Sequence, residues 1–172
     1  MVKSRFKGGI HTVEKLSILQ SYLKFYATAL KNQGFSLIYI DAFAGTGDYA
    51  LDLGDAGLFA GLGEEEGMVS RPGSAKLALS IEPQFSELIF IDNQLSSVAS
   101  LQSIKSQNPS RSIKIVSGDA NESVMKICAD TPWQNRVRGV LFLDPFNMAV
   151  HWETLEAIGR TQALDLWYLF PT

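Results

Sequence analysis

The chain has 172 residues, 46% of them hydrophobic and 19% charged, which fits one globular domain with its own core and excludes intrinsic disorder. Its 15 basic and 18 acidic residues leave a formal charge of −3, too little cationic character for a body that holds nucleic acid by charge alone. The acidity is concentrated between Asp48 and Glu66, which carries six carboxylates and no Lys or Arg; the rest of the chain sums to +3 and leaves a nucleic-acid substrate open.

The single cysteine, Cys128, excludes an internal disulfide and a Cys-rich metal site, and points to a reducing compartment, the cytoplasm. No run approaches the roughly 18 to 20 apolar residues of a membrane helix, and the opening MVKSRFKGGIHT lacks the apolar segment of an export signal. Neither a membrane nor secretion is expected.

In chain order, Leu16, Leu19, Leu23, Tyr26 and Leu30 recur three and four apart, which predicts a helix over 12–31 inside an N-terminal helical segment 1–34, with Gly34 ending it. LIYID at 37–41 predicts a buried first strand, opening into a turn with Gly45 and Gly47. Residues 48–73 hold six of the 14 glycines among the acids without lasting periodicity, and read as a long acidic loop. Ser74 is placed to cap a short helix through Ser80. Three apolar runs then end in aspartates, ELIFID at Asp92, IKIVSGD at Asp119 and GVLFLD at Asp144, each followed by a helical stretch, and LWYLF at 166–170 reads as a fifth strand. Strand alternating with helix, without hairpin turns, predicts an α/β fold with a mainly parallel sheet covered on both faces. No linker marks a second domain, so 1–172 is read as one.

In such sheets ligands bind beyond the carboxyl ends of the strands, where Asp41, Asp92, Asp119 and Asp144 are expected to gather. Gly45, Gly47 and Ala50 formally satisfy the dinucleotide fingerprint G-x-G-x-x-A. A pyrophosphate site, however, needs a helix directly after the glycines and an acid about 20 residues on. An acidic loop follows instead. Carboxylates repel pyrophosphate and suit a cation, so the electrostatics favour S-adenosylmethionine, with its ammonium and sulfonium, over NAD.

The blocks DAFAGTGDY, GSAKLALS, ELIFIDNQ, SGDANE, FLDPFNM and WETLEAIGRTQALDLWYLFP resemble, in order and spacing, those of the three-Cys-motif partner proteins. The resemblance runs from the helix around Lys15 to Pro171. It implies a Rossmann-like, class I S-adenosylmethionine-dependent methyltransferase fold and, from the family's name, a separate protein partner bearing three cysteines. It also implies more strands than this length holds, so the chain is expected to be truncated after its fifth strand. The apolar LWYLF edge is then expected to be covered by a partner or by a second copy in a homodimer.

Carried over residue by residue, the resemblance places Asp41, Phe43, Gly45 and Gly47 in the loop that holds the methionine part of the cofactor. Asp92 falls on the acid that binds both ribose hydroxyls, and Asp119 with Ala120 on the adenine contact. Asn121 is read as a helix cap. Asp144, Pro145 and Phe146 resemble the Asp-Pro-Pro-aromatic signature of enzymes that methylate exocyclic amines of bases. There the acid and the next carbonyl accept from the amine while the ring stacks on the base. Here the second proline is absent and the ring stands one place earlier.

Other residues carry less. His11 and His151 lack metal-ligand spacing, and Cys128 falls with Val124 on an apolar helix side. Lys15 is within reach of the cofactor's carboxylate or simply solvated. Arg136 and Arg138 precede the fourth strand, at the edge away from the ligand. The sequence thus points to a methyltransferase acting on an amine, with a nucleobase in DNA or RNA in view. The alternative is a non-catalytic subunit that binds another protein; a nicotinamide oxidoreductase rests on the glycine spacing alone.

Overall fold

The computed structural model describes residues 7–8, 10–52, 68–145 and 147–170. Its elements in chain order are β1 (Lys7–Gly8), α1 (Ile10–Leu30), β2 (Ser36–Asp41), β3 (Asp48–Asp52), β4 (Met68–Pro72), α2 (Ser74–Leu79), β5 (Glu87–Asp92), α3 (Leu95–Gln107), β6 (Ile113–Ser117), α4 (Ala120–Asp130), β7 (Val137–Leu143), α5 (Trp152–Thr161) and β8 (Leu164–Tyr168). No helix among the described residues is long and apolar enough to cross a membrane.

The main sheet has five strands in the order β6-β5-β2-β7-β8, and every neighbouring pair is parallel. Chain order thus runs outward from β2 to one side and then restarts at β7 on the other, the arrangement of a Rossmann-like sheet with its switch point at β2. Each central strand is apolar on both faces because helices cover both. On one face, Leu37 and Tyr39 of β2, Leu88 and Phe90 of β5, and Val140 and Phe142 of β7 pack against α1, α2 and α3. On the other, Ile38, Ile40, Ile89, Ile91, Leu141 and Leu143 pack against α4 and α5.

Helix α1 buries Leu16, Leu19, Leu23, Tyr26 and Ala27, the face that its sequence spacing marks. Gly34 takes a left-handed φ of +70° past its end, a conformation with no steric cost for glycine. Cys128 packs half-buried against the second core, and burial pushes its thiol up to about 11. Arg136 and Arg138 stack over Phe35, 5.3 and 4.9 Å from the ring centre, at the strand-entry edge opposite the aspartates.

Three expectations need correction. The ends of the 48–73 segment are not loop: β3 and β4 form an antiparallel ladder from Asp48 opposite Pro72 to Asp52 opposite Met68, and β1 pairs in parallel with β3. Five-residue strands are too short to show a period, and the partner that stabilises each lies 16 residues away at its nearer end, from Asp52 to Met68. The intervening acids Asp55, Glu64, Glu65 and Glu66 lie outside the described residues. Ser74 is not a cap but the first residue of α2, after Gly73 at the cap position. The last strand is Leu164–Tyr168 rather than 166–170, because Gln162 ends α5 in a left-handed conformation and Leu164 pairs with Gly139.

Gly139 sits where β2, β7 and β8 are tightest, and a β-carbon there would stand 2.7 Å from the Ile38 carbonyl and 2.9 Å from Leu164. Gly139→Ala is therefore expected to destabilise the protein by about 1–3 kcal/mol through overpacking. Chemical denaturation checks this; an unchanged midpoint would contradict it.

Candidate functional site

The turn that leaves β2 straddles the switch point. Ala42 donates to the Phe142 carbonyl of β7 at 3.1 Å, and two residues later Ala44 donates to the Ile91 carbonyl of β5 at 3.0 Å. Gly45 and Gly47 adopt left-handed φ of +59° and +82°, and the hairpin closes the turn from above, Gly73 donating to the Gly47 carbonyl at 2.9 Å. The two glycines differ in surroundings. A β-carbon at Gly45 would meet nothing within 4 Å, whereas one at Gly47 would lie 2.4 Å from the Ile104 side chain of α3. Gly45 therefore leaves open space, and Gly47 serves close packing.

The four aspartates do gather at the carboxyl ends of the strands, and each has a different environment. Asp41 is fully buried and accepts from the Phe43 amide at 3.3 Å. It acts on the turn from beneath and does not open onto solvent. Its Oδ2 makes no satisfactory hydrogen bond, nor does the nearby buried hydroxyl of Tyr39. Burial first of all pushes the Asp41 carboxyl up to about 7, with the charges of Asp144 and Asp92 adding to it; the Ser74 hydroxyl and the Phe43 amide, close enough to favour the ionised form, pull the other way.

Asp92, half-buried at the end of β5, accepts from the Gly45 amide at 2.9 Å through Oδ2 and from the Gln94 amide at 2.8 Å through Oδ1. A carboxylate offers about four lone-pair sites, so both oxygens keep capacity for a diol. Asp119 is exposed and caps α4, accepting from the Glu122 amide at 3.1 Å. The cap expected at Asn121 thus belongs to Asp119. Asn121 is buried instead and bonds to the Ala149 carbonyl, the His151 amide and the Thr154 hydroxyl. Its register explains this: residue 119 already occupies the cap position, which turns residue 121 inward.

Asp144, just past β7, pairs with the Lys15 ammonium through Oδ2. Lys15 is therefore paired rather than simply solvated: α1 carries it across the sheet to the strand-end acid. Sequence spacing could not reveal a pair separated by 129 positions. Pro145 is buried behind Asp144, and Phe146 lies outside the described residues.

A cavity of about 310 Å³ opens between these elements, lined by Ala42, Phe43 and Asp92 on one side and by Gly118, Asp119 and Ala120 on the other, with Asn121, Asn147 and Ala149 at its end. It unites four of the predicted residues, Phe43, Asp92, Asp119 and Ala120. Asp144 and Pro145 stand outside its lining, at the neighbouring strand end. A larger cavity of about 640 Å³, between β3 and α3, shares Gln94 with it. That one holds the Asp48–Lys76 pair, 2.7 Å apart, and none of the strand-end acids, so the smaller cavity is the one the sheet addresses.

The raised Asp41 has a consequence for stability. Its ordinary value is 3.8 and its folded value about 7, so between these the unfolded chain ionises while the folded one stays protonated. Stability from this group is full below about pH 4 and is lost as pH rises to 7, by roughly 4 kcal/mol in all. Asp41→Asn is expected to flatten that fall. Denaturation at pH 5 and pH 8 of both proteins measures it, and parallel pH dependences would refute the assignment.

No family model matches the sequence, and no curated protein does. Among solved structures the chain is similar to the crystal structure of a protein from Legionella pneumophila strain Philadelphia 1, of the family DUF519, with a TM-score of 0.56 at 17% identity. The likeness covers 90% of this chain, which spans 62% of that one. At this identity the similarity concerns the fold, and the fold is the Rossmann-like one described above.

Proposed function

We propose that the protein is an S-adenosylmethionine-dependent methyltransferase acting on an amine, with an exocyclic nucleobase amine as the acceptor class. The observation that carries the reading is Asp92: a strand-end carboxylate anchored by the Gly45 and Gln94 amides, bordering a 310 Å³ cavity, with acceptor capacity left for a ribose diol. The chain's residues fit the cofactor's parts in turn. Gly45 leaves room for close backbone approach, Phe43 and Ala120 supply apolar walls, and Asp119 retains an oxygen for an adenine amine. The carboxylates of Asp92 and Asp119 border the cavity, which suits a cationic ligand better than a pyrophosphate.

When bound, the cofactor supplies an electrophilic methyl on a sulfonium. The remaining work belongs to the chain. Asp144 accepts a hydrogen bond from the acceptor N–H and so turns the amine lone pair toward the site, a gain of orientation rather than of acid-base power. Lys15 holds one oxygen of Asp144, which fixes the carboxylate plane and leaves the other oxygen for the acceptor.

A second reading is a non-catalytic subunit for a three-cysteine protein partner. It draws on the altered Asp-Pro-Phe block, on Lys15 already paired with Asp144, and on β8, the edge strand of the main sheet among the described residues, with Leu166 on it and Phe170 just past it exposed at 39% and 64%.

Calorimetric titration with S-adenosylhomocysteine is expected to show binding that Asp92→Ala weakens by about tenfold or more, the scale of lost hydrogen bonds to a charged group. Asp144→Ala is expected to keep that affinity while losing transfer of labelled methyl to a nucleic-acid pool. Absence of binding by the wild type would refute the cofactor; binding without any transfer would favour the subunit reading.

A further inference from the structure

The segment between β7 and α5 carries the residues beside Asp144, and one side chain from another element holds it. Asn121, the second residue of α4, is 5% exposed. Its Nδ2 donates to the Ala149 carbonyl at 2.8 Å, while its Oδ1 accepts from the His151 amide at 2.9 Å and from the Thr154 hydroxyl at 2.8 Å. The orientation of the amide follows from its partners. A backbone carbonyl can only accept and a backbone amide can only donate, so the reversed amide would lose both bonds. Thr154, 1% exposed, lies in the first turn of α5, and the three bonds therefore tie the loop and the next helix to α4.

The loop has little else of this kind. Among the described residues its other backbone bonds are short-range, Ala149 to the Asn147 carbonyl and Thr154 and Leu155 to the His151 carbonyl; none ties it to α4, and Val150 packs on the second core. Asn121, Asn147 and Ala149 all border the 310 Å³ cavity. The same amide thus touches the wall beyond Asp119 and Ala120 and the loop that follows Asp144. It also holds the His151 amide and the Thr154 hydroxyl on either side of Trp152, which stands 69% exposed at the loop's end.

We propose that Asn121 is a positioning residue that clasps the 147–151 segment to the cavity wall, so that filling the cavity and placing the loop beside Asp144 are coupled. The identity of the ligand rests on the function proposed above; the clasp itself does not. A buried amide with both polar atoms bonded is costly to disturb, because truncation removes three hydrogen bonds and takes their partner from the Ala149 carbonyl, the His151 amide and the Thr154 hydroxyl. Loss of the side chain should therefore act locally, on opening of this loop, before it acts on global unfolding.

Amide hydrogen exchange by mass spectrometry tests this, on the wild type, Asn121→Ala, Asn121→Asp and Thr154→Val, each with and without S-adenosylhomocysteine. In Asn121→Ala without ligand, exchange over 147–154 is expected to rise about tenfold or more, with β7 and β2 nearly unchanged. Asn121→Asp keeps the acceptor for His151 and Thr154 and is expected to recover part of the protection. Thr154→Val, which removes one bond at similar volume, should give a smaller rise in the same peptides. In the wild type the ligand is expected to protect both the cavity wall at 118–121 and the loop, and in Asn121→Ala the wall alone. Wild-type loop exchange in Asn121→Ala, a uniform rise across the chain, or equal ligand protection of the loop in both proteins would overturn the proposal. If the ligand fails to bind the wild type, the cofactor reading and the coupling fall together, and the ligand-free comparison still decides the clasp.

Discussion

Strand β2 is hydrogen-bonded in parallel to β5 along one side and to β7 along the other, so the chain leaving its end at Asp41 emerges at the crevice between the two halves of the sheet. The bonds of Ala42 to β7 and of Ala44 to β5 bridge that crevice. They force the backbone to turn within three residues, which is why Gly45 and Gly47 follow with left-handed φ. They also expose an amide, that of Gly45, at the point where the β5 carboxylate can reach it. The site is a consequence of strand order before it is a matter of any one side chain.

That crevice separates the four strand-end aspartates by environment. Desolvation acts most on Asp41, which is buried and bonded to a single amide. Asp92 has two amides, Asp119 one amide and solvent, and Asp144 a lysine. Chemically identical groups are thereby divided between supporting the turn, facing the cavity, capping a helix and pairing with a lysine. The division follows from which backbone donors each strand end presents. It explains how several acids coexist within one another's fields, since one has its carboxyl pushed up by burial and another is paired with a cation.

Two additions to the parallel sheet complete the site. The β3–β4 hairpin and the β1 strand occupy the place where a helix would follow the glycines in a dinucleotide site, and the turn is held by Gly73 and by the Asp48–Lys76 pair. Helix α1 reaches over the sheet with its buried face on the core and delivers Lys15 to Asp144. Both additions bring long-range partners to residues whose neighbours in sequence say nothing of them.

The sequence by itself determined the α/β class, the five strands of the main sheet to within two residues, and the edge at which the aspartates meet. Those features follow from local signals: apolar runs, three-and-four spacing in α1, and an acid or glycine at four of the five strand ends. Tertiary structure alone decided the hairpin inside 48–73, since short strands gain their stability from a distant partner and show no period of their own. It alone decided that Lys15 pairs with Asp144, that Asp119 rather than Asn121 caps α4, and that Asn121 turns inward to hold the loop after β7. These are outcomes of hydrogen bonds and charge pairs between residues far apart in the chain, and such pairs leave no periodic trace because each is set by the packing of whole elements.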